Sequence, residues 1–325
     1  MIVPQYWAEA RVQHRGRGRQ ITVRRFGWSD VSQAEAQASA ERRAGEALER
    51  LRDGETLQRR EPKVPYNGAD GVPIREEIVE RDEQVVITRN AYGARCLNTP
   101  DVLFADIDFP RKASLRFAMG VFATLAALAL LVGWLMQSAA ALAALVLVAL
   151  FAGGVQADKL HGLFQDFNGG AEAAARKRIV RFLAANPEWN LRLYRTPAGL
   201  RVLATQRTFA PADPAVARCF AALGTDPLYA SMCLRQQCFR ARVSAKPWRI
   251  GIARHLQPRP GVWPVAPERL HLRRDWVERY EAAAQSFAAC RFVESLGSGV
   301  VEPAVARVQQ LHDRLCRATS DLPLA

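Results

Sequence analysis

Two aspartates, Asp106 and Asp108, stand one residue apart in the apolar stretch LFADIDFP. In a strand, residues i and i+2 project from the same face, with Cα atoms about 7 Å apart. Leu103, Ala105, Ile107 and Phe109 would then face the core. Two carboxylates so placed can bridge one or two Mg²⁺ or Mn²⁺ ions, and such ions clamp phosphates in phosphoryl transfer. The competing reading is an acidic pair neutralised by arginine, of which the chain has 40 against 5 lysines.

A second cluster is FRARVSAKPWRIGIARH, residues 239–255. The alternation of Phe239, Ala241 and Val243 with Arg240 and Arg242 predicts a half-buried strand with a basic face. Lys246, Arg249 and Arg254 follow, with Trp248 between them. Cations interleaved with an aromatic suit phosphate and base contacts. They suit anionic lipid headgroups equally well. The bland reading is a solvated basic strand with Trp248 in the core. His312-Asp313 is a lone His-Asp pair and reads as a capped or surface histidine. No P-loop, Gly-x-Ser-x-Gly, Rossmann fingerprint or HExxH occurs.

The stretch VLFADIDFP, followed after an interruption by LRLYRTPAGLRVL, resembles the archaeo-eukaryotic primase superfamily. The resemblance implies an Asp-x-Asp strand that binds catalytic metals, matched here by Asp106 and Asp108. It implies a later strand carrying a histidine, and at that position this chain has Arg201. Beside the resemblance, Arg195 on the preceding predicted strand is a further candidate for binding phosphate. The third acid of the family is not identifiable in this sequence, and Glu294 in CRFVESLG is one candidate. The departure at Arg201 puts activity in doubt more than architecture. The chain also resembles uncharacterised bacterial membrane proteins of similar layout, which implies no chemistry.

These residues must be positioned by elements on both sides of a long apolar segment. From Phe117 to Ala157 there are 41 residues without an ionisable side chain. One membrane crossing needs about 20. The segment 113–157 therefore predicts a transmembrane hairpin, with helices at 113–136 and 139–157 turning at Gln137-Ser138. No charge lies mid-membrane, so the hairpin reads as an anchor rather than a transport path. Arg111, Lys112 and Arg116 precede it, and Lys159 and His161 follow. The positive-inside bias predicts a multi-pass inner-membrane protein with both termini cytoplasmic. A buried hairpin in a soluble core is the alternative. The N-terminus lacks a signal-peptide pattern.

Charge is uneven. Residues 1–112 hold 19 Lys/Arg and 18 Asp/Glu, while residues 158–325 hold 25 and 14, a net of +11. The second half is expected to attract an anionic partner. Six dispersed cysteines read as reduced, mostly buried thiols, and Cys233 and Cys238 lack the partners of a zinc site.

Strands are predicted at 6–13, 20–26, 74–80, 84–89, 102–109, 191–195, 200–205, 238–244 and 290–296. Ser32-Gln-Ala-Glu35 is a capping box opening a helix to about Arg52. Further helices are expected at 171–185, from Asp213-Pro214 to Leu223, from Asp226-Pro227 to Gln237, at 275–288 and at 303–318. The fold class is α+β: one mixed-sheet cytoplasmic domain, with parts 1–112 and 158–325, interrupted by the hairpin. Two independent domains are the alternative.

Three functions follow. The first is a membrane-held basic module binding nucleotide, nucleic acid or anionic lipid. The second is a primase-like, metal-dependent nucleotidyl or phosphoryl transferase. The third is a structural membrane protein docking a protein partner. The first needs Arg240, Arg242 and Arg249 exposed on one face. The second needs Asp106 and Asp108 in a cleft with the arginines.

Overall fold

The computed structural model describes residues 1–16, 19–61, 72–109, 114–138, 140, 143, 145–148, 156–163 and 169–325. Parts of the predicted loops, Arg111, Lys112, and most of the predicted second membrane helix lie outside them.

The chain opens with an antiparallel ribbon, β1 (Tyr6–Gly16) and β2 (Arg19–Ser29). Helix α1 (Gln33–Arg52) lies on it. The Ser32 hydroxyl accepts the Glu35 amide hydrogen and starts the helix. A stripe of Ala36, Ala40, Ala44 and Ala47 is buried at helical spacing. Gly27 lets the helix backbone touch the ribbon, since a β-carbon there would overlap Ala36 and Ala40.

Two four-stranded sheets follow. One has the order β3 (Glu77–Asp82), β4 (Val85–Arg89), β5 (Arg95–Thr99), β9 (Phe239–Arg242). The other has the order β10 (Arg291–Gly297), β7 (Asn190–Thr196), β8 (Gly199–Ala204), β6 (Phe104–Asp108). Each sheet thus contains strands from before and after the apolar segment. Every named strand pair is antiparallel, which corrects the mixed-sheet expectation. Tight turns impose it within β3–β4 and β7–β8, and β9 and β6 close their sheets in the same sense. The strand β5 was not foreseen, because RCLNT carries no clean apolar alternation.

The sheets share one core with helices α3 (Gly170–Ala185), α4 (Pro214–Leu223), α5 (Pro227–Gln236) and α7 (Pro303–Cys316). Asp213 and Asp226 cap α4 and α5, each followed by proline at the first turn. Helix α6 (Leu270–Ala284) starts five residues before its predicted Asp275, on a 3₁₀ turn opened by Pro267. It packs Trp276 and Tyr280 into a satellite core.

Between the two parts stands α2 (Leu115–Leu135), capped by Ser114. Among the described residues it is the one helix long and apolar enough to cross a membrane. Its most apolar 18-residue stretch has a mean hydropathy of 2.2, and 11% of that stretch is buried. Leu125, Leu128, Ala129 and Val132 line a groove with Leu145, Val148 and Gln156. The ring of His161 lies 5.2 Å from that of Phe117, edge-on.

Candidate functional site

The two sheets meet at their edge strands, β6 and β9. The Tyr229 hydroxyl on α5 joins them, 3.0 Å from the Phe104 carbonyl and 2.9 Å from the Arg240 carbonyl. Above this junction opens a cleft of about 320 Å³. Asp106 and Asp108 line it from β6, Arg201 from β8, Arg240 and Arg242 from β9, and Lys246 from the following loop. Tyr92, Thr196 and Asp226 also contribute to its wall. Six of the residues singled out from sequence therefore converge, although they come from both sides of the apolar segment.

Arg201 is the floor. Register places it directly opposite Asp106. Its Nε donates to Asp106 Oδ1 at 2.7 Å and its Nη2 to Oδ2 at 3.1 Å. Its Nη1 donates to the Arg242 carbonyl at 2.8 Å and lies 3.3 Å from His312 Nε2. Burial by itself raises the Asp106 carboxyl, but the charge and hydrogen bonds of Arg201 overcome it and hold the group below the usual aspartate range. Asp108 is exposed at the end of β6, opposite Gly199. Gly199 is needed there because a β-carbon would overlap the Ile107 carbonyl.

Arg240 departs from the expected solvent-facing basic strand. It is buried, with Nη2 2.8 and 2.7 Å from the two oxygens of Glu76 and Nη1 3.0 Å from Asn98 Oδ1. A guanidinium without water needs such partners. Glu76 lies 164 residues earlier, so local pattern could not reveal it. Arg242 is half-buried, with Nη1 donating to the Ser244 carbonyl at 2.6 Å.

Trp248 is not in the core: it is 56% exposed, beside the cleft wall. Its ring lies 5.2 Å from Tyr92, edge-on, and Lys246 Nζ is 5.4 Å from its centroid. Arg249 closes the 3₁₀ turn Pro247–Arg249 outside the cleft lining. Arg195 also lies outside it, 2.6 Å from Glu172 and stacked over Phe109. Glu294, on β10 at the opposite edge of the sheet from β6, is ion-paired with Arg176 of α3 and does not join the site.

No protein-family model, curated protein or solved structure matches this chain. Its chemistry has to be read from its own residues.

Beneath the cleft lies a second cluster that the sequence reading missed. His312 is fully buried, not a surface or capped histidine. Its Nδ1 is 3.1 Å from Asp313 Oδ1, and its Nε2 faces Cys316 Sγ at 3.4 Å and Cys290 Sγ at 3.9 Å. Asp313 is held in turn by Arg192 Nη2 at 2.8 Å. The three ligating atoms lie within 4.8 Å of one another. Of the thiols, Cys290 loses its proton the more readily: it accepts the Cys316 S–H and faces His312 and Arg201, whereas burial pushes Cys316 up. The available signal was His312 and Cys316 at i and i+4 on one helix face. All six cysteines are free and buried, as expected.

Proposed function

We propose that this is a membrane-anchored protein whose cleft binds a nucleotide-sized, phosphate-bearing ligand. The carrying observation is the placement of Arg242 and Lys246 on a cleft of about 320 Å³ beside the aromatic pair Tyr92 and Trp248. Small-ligand sites run from about 300 Å³ upward and carry a few placed polar groups. Cations take the phosphate, and an exposed indole offers a face for a base. A long nucleic-acid track is less well supported, because Arg240 is committed to Glu76 inside the fold. The net +11 of residues 158–325 concentrates anionic ligands around this half.

The anchor in this proposal is a two-helix hairpin in the inner membrane, with both termini in the cytoplasm. The juxtaposition of Phe117 and His161 supports a chain that returns to the end from which it left. The apolar side chains of α2 face outward, among them Leu128, Leu131 and Trp134.

A primase-like, Mg²⁺- or Mn²⁺-dependent transferase is the second reading. It is favoured by Asp106 and Asp108 sharing the cleft, and by Arg201 standing beside Asp106 where the resemblance implies the family's histidine. It is disfavoured by Arg201 occupying both Asp106 oxygens. Binding therefore ranks above catalysis. Thermal unfolding of the detergent-purified protein tests the proposal: ADP and ATP should raise Tm more than equimolar inorganic phosphate, without added metal. No rise with any of the three would leave the protein-docking reading in place.

A further inference from the structure

We propose that Cys290, His312 and Cys316 form a binding site for Zn²⁺ beneath the cleft. Zinc–sulfur bonds of about 2.3 Å and zinc–nitrogen bonds of about 2.0–2.1 Å set tetrahedral S···N separations near 3.5 Å. The observed separations from His312 Nε2, 3.4 and 3.9 Å, bracket that value. The tautomer is set as a metal site requires. Asp313 accepts the Nδ1 hydrogen, so the Nε2 lone pair faces both sulfurs, with Arg201 Nη1 3.3 Å away at its side. A carboxylate behind a ligating histidine fixes ring orientation and raises basicity. Arg192 anchors that carboxylate.

The elements explain the convergence. His312 and Cys316 lie one turn apart on α7, and Cys290 immediately precedes β10. The Ala289 amide hydrogen-bonds the Cys316 carbonyl at 2.9 Å and holds the two segments together. A further oxygen near the site is the Arg242 carbonyl, 3.9 Å from Cys316 Sγ, which also accepts from Arg201 Nη1. Loading displaces whatever protons the ligands hold, since the ion binds thiolates and a neutral imidazole. Two thiolates then cancel the ion's charge, so the loaded site is neutral beside the Asp106–Arg201 pair. The ion would fix His312 under Arg201 and so stiffen the floor of the cleft.

The test uses the full-length protein, purified in detergent under reducing conditions without chelator. Metal analysis should find stoichiometric zinc in the wild type and in Cys219→Ala, a buried thiol elsewhere, and none in Cys316→Ser. Because Cys316→Ser can also fail to fold, the wild type supplies an independent readout. Stripping with a chelator should lower Tm, Zn²⁺ but not Mg²⁺ should restore it, and Co²⁺ should give a thiolate-to-cobalt absorption band lost in Cys290→Ser. Zinc-free protein whose Tm ignores added Zn²⁺, stoichiometric copper in place of zinc, or a Cys290–Cys316 disulfide in the purified chain would overturn the assignment.

Discussion

Asp106 and Arg201 face each other across β6 and β8, joined by hydrogen bonds of 2.7 and 3.1 Å. The guanidinium is 2% exposed and the carboxylate 37%. This pair makes Asp106 a counter-ion first, and Asp108 is the more exposed of the two aspartates. Asp106→Asn leaves a buried arginine without its charge partner and should destabilise the protein by about 3 kcal/mol, the low end for a broken buried pair because Asp106 is partly solvated. Asp108→Asn should change stability by no more than about 0.5 kcal/mol. Denaturant unfolding of the two variants checks this, and a stabilised Asp106→Asn would show a poorly neutralised carboxylate pair instead.

The same pair sets an acid response. The folded Asp106 carboxyl lies below its ordinary value of 3.8, so the folded state holds fewer protons than the unfolded state just below that pH. Its stabilising contribution is therefore complete above about pH 3.8 and lost as pH falls through the folded value. The stability gap between wild type and Asp106→Asn should close on acidification in that window. A gap independent of pH would place the effect of the substitution in packing rather than charge.

Glu76 and Arg240 form the more deeply buried pair, at 3% and 7% exposure. Glu76→Gln or Arg240→Met alone should destabilise by about 3–5 kcal/mol. The double variant should be less destabilised than the sum, since neither charge is then left alone. Additive losses in the double-mutant cycle would contradict the pairing. Arg240→Ala should accordingly lower the folded fraction rather than flatten the salt dependence of anion binding.

Local signals carried much of this architecture. The Ser32 cap, the Asp-Pro helix starts at 213 and 226, and the turn before Gly199 each act within a few residues of where they are read. The i, i+2 rule put Asp106 and Asp108 in one cleft. The partners of the charged residues were out of reach, because Arg240 meets Glu76 across 164 residues and Arg201 meets His312 across 111. Burial of His312 was equally hidden: a histidine beside an aspartate looks the same on a surface or in a core. The surplus of arginine suggested a basic face, whereas Arg201 and Arg240 close ion pairs inside the fold.

The anchor makes a direct prediction. Alkaline carbonate should leave the protein in the membrane pellet, since α2 exposes an apolar surface with no soluble partner among the described residues. A topology reporter at Gln137 should face outward and reporters at both termini inward. Carbonate release would remove the membrane reading, and opposite signals at the two termini would remove the hairpin.

The central claim, a phosphate-binding cleft at the meeting of β6 and β9, is tested most directly by isothermal titration of the full-length detergent-purified protein. ATP and ADP should bind and adenosine should not. Arg242→Ala and Lys246→Ala should each weaken nucleotide binding about tenfold or more, the loss of a charge-assisted hydrogen bond of roughly 1.5–3 kcal/mol, while Arg195→Ala, outside the cleft, leaves it unchanged. Equal binding of adenosine, or nucleotide binding that ignores Arg242 and Lys246, would contradict the account.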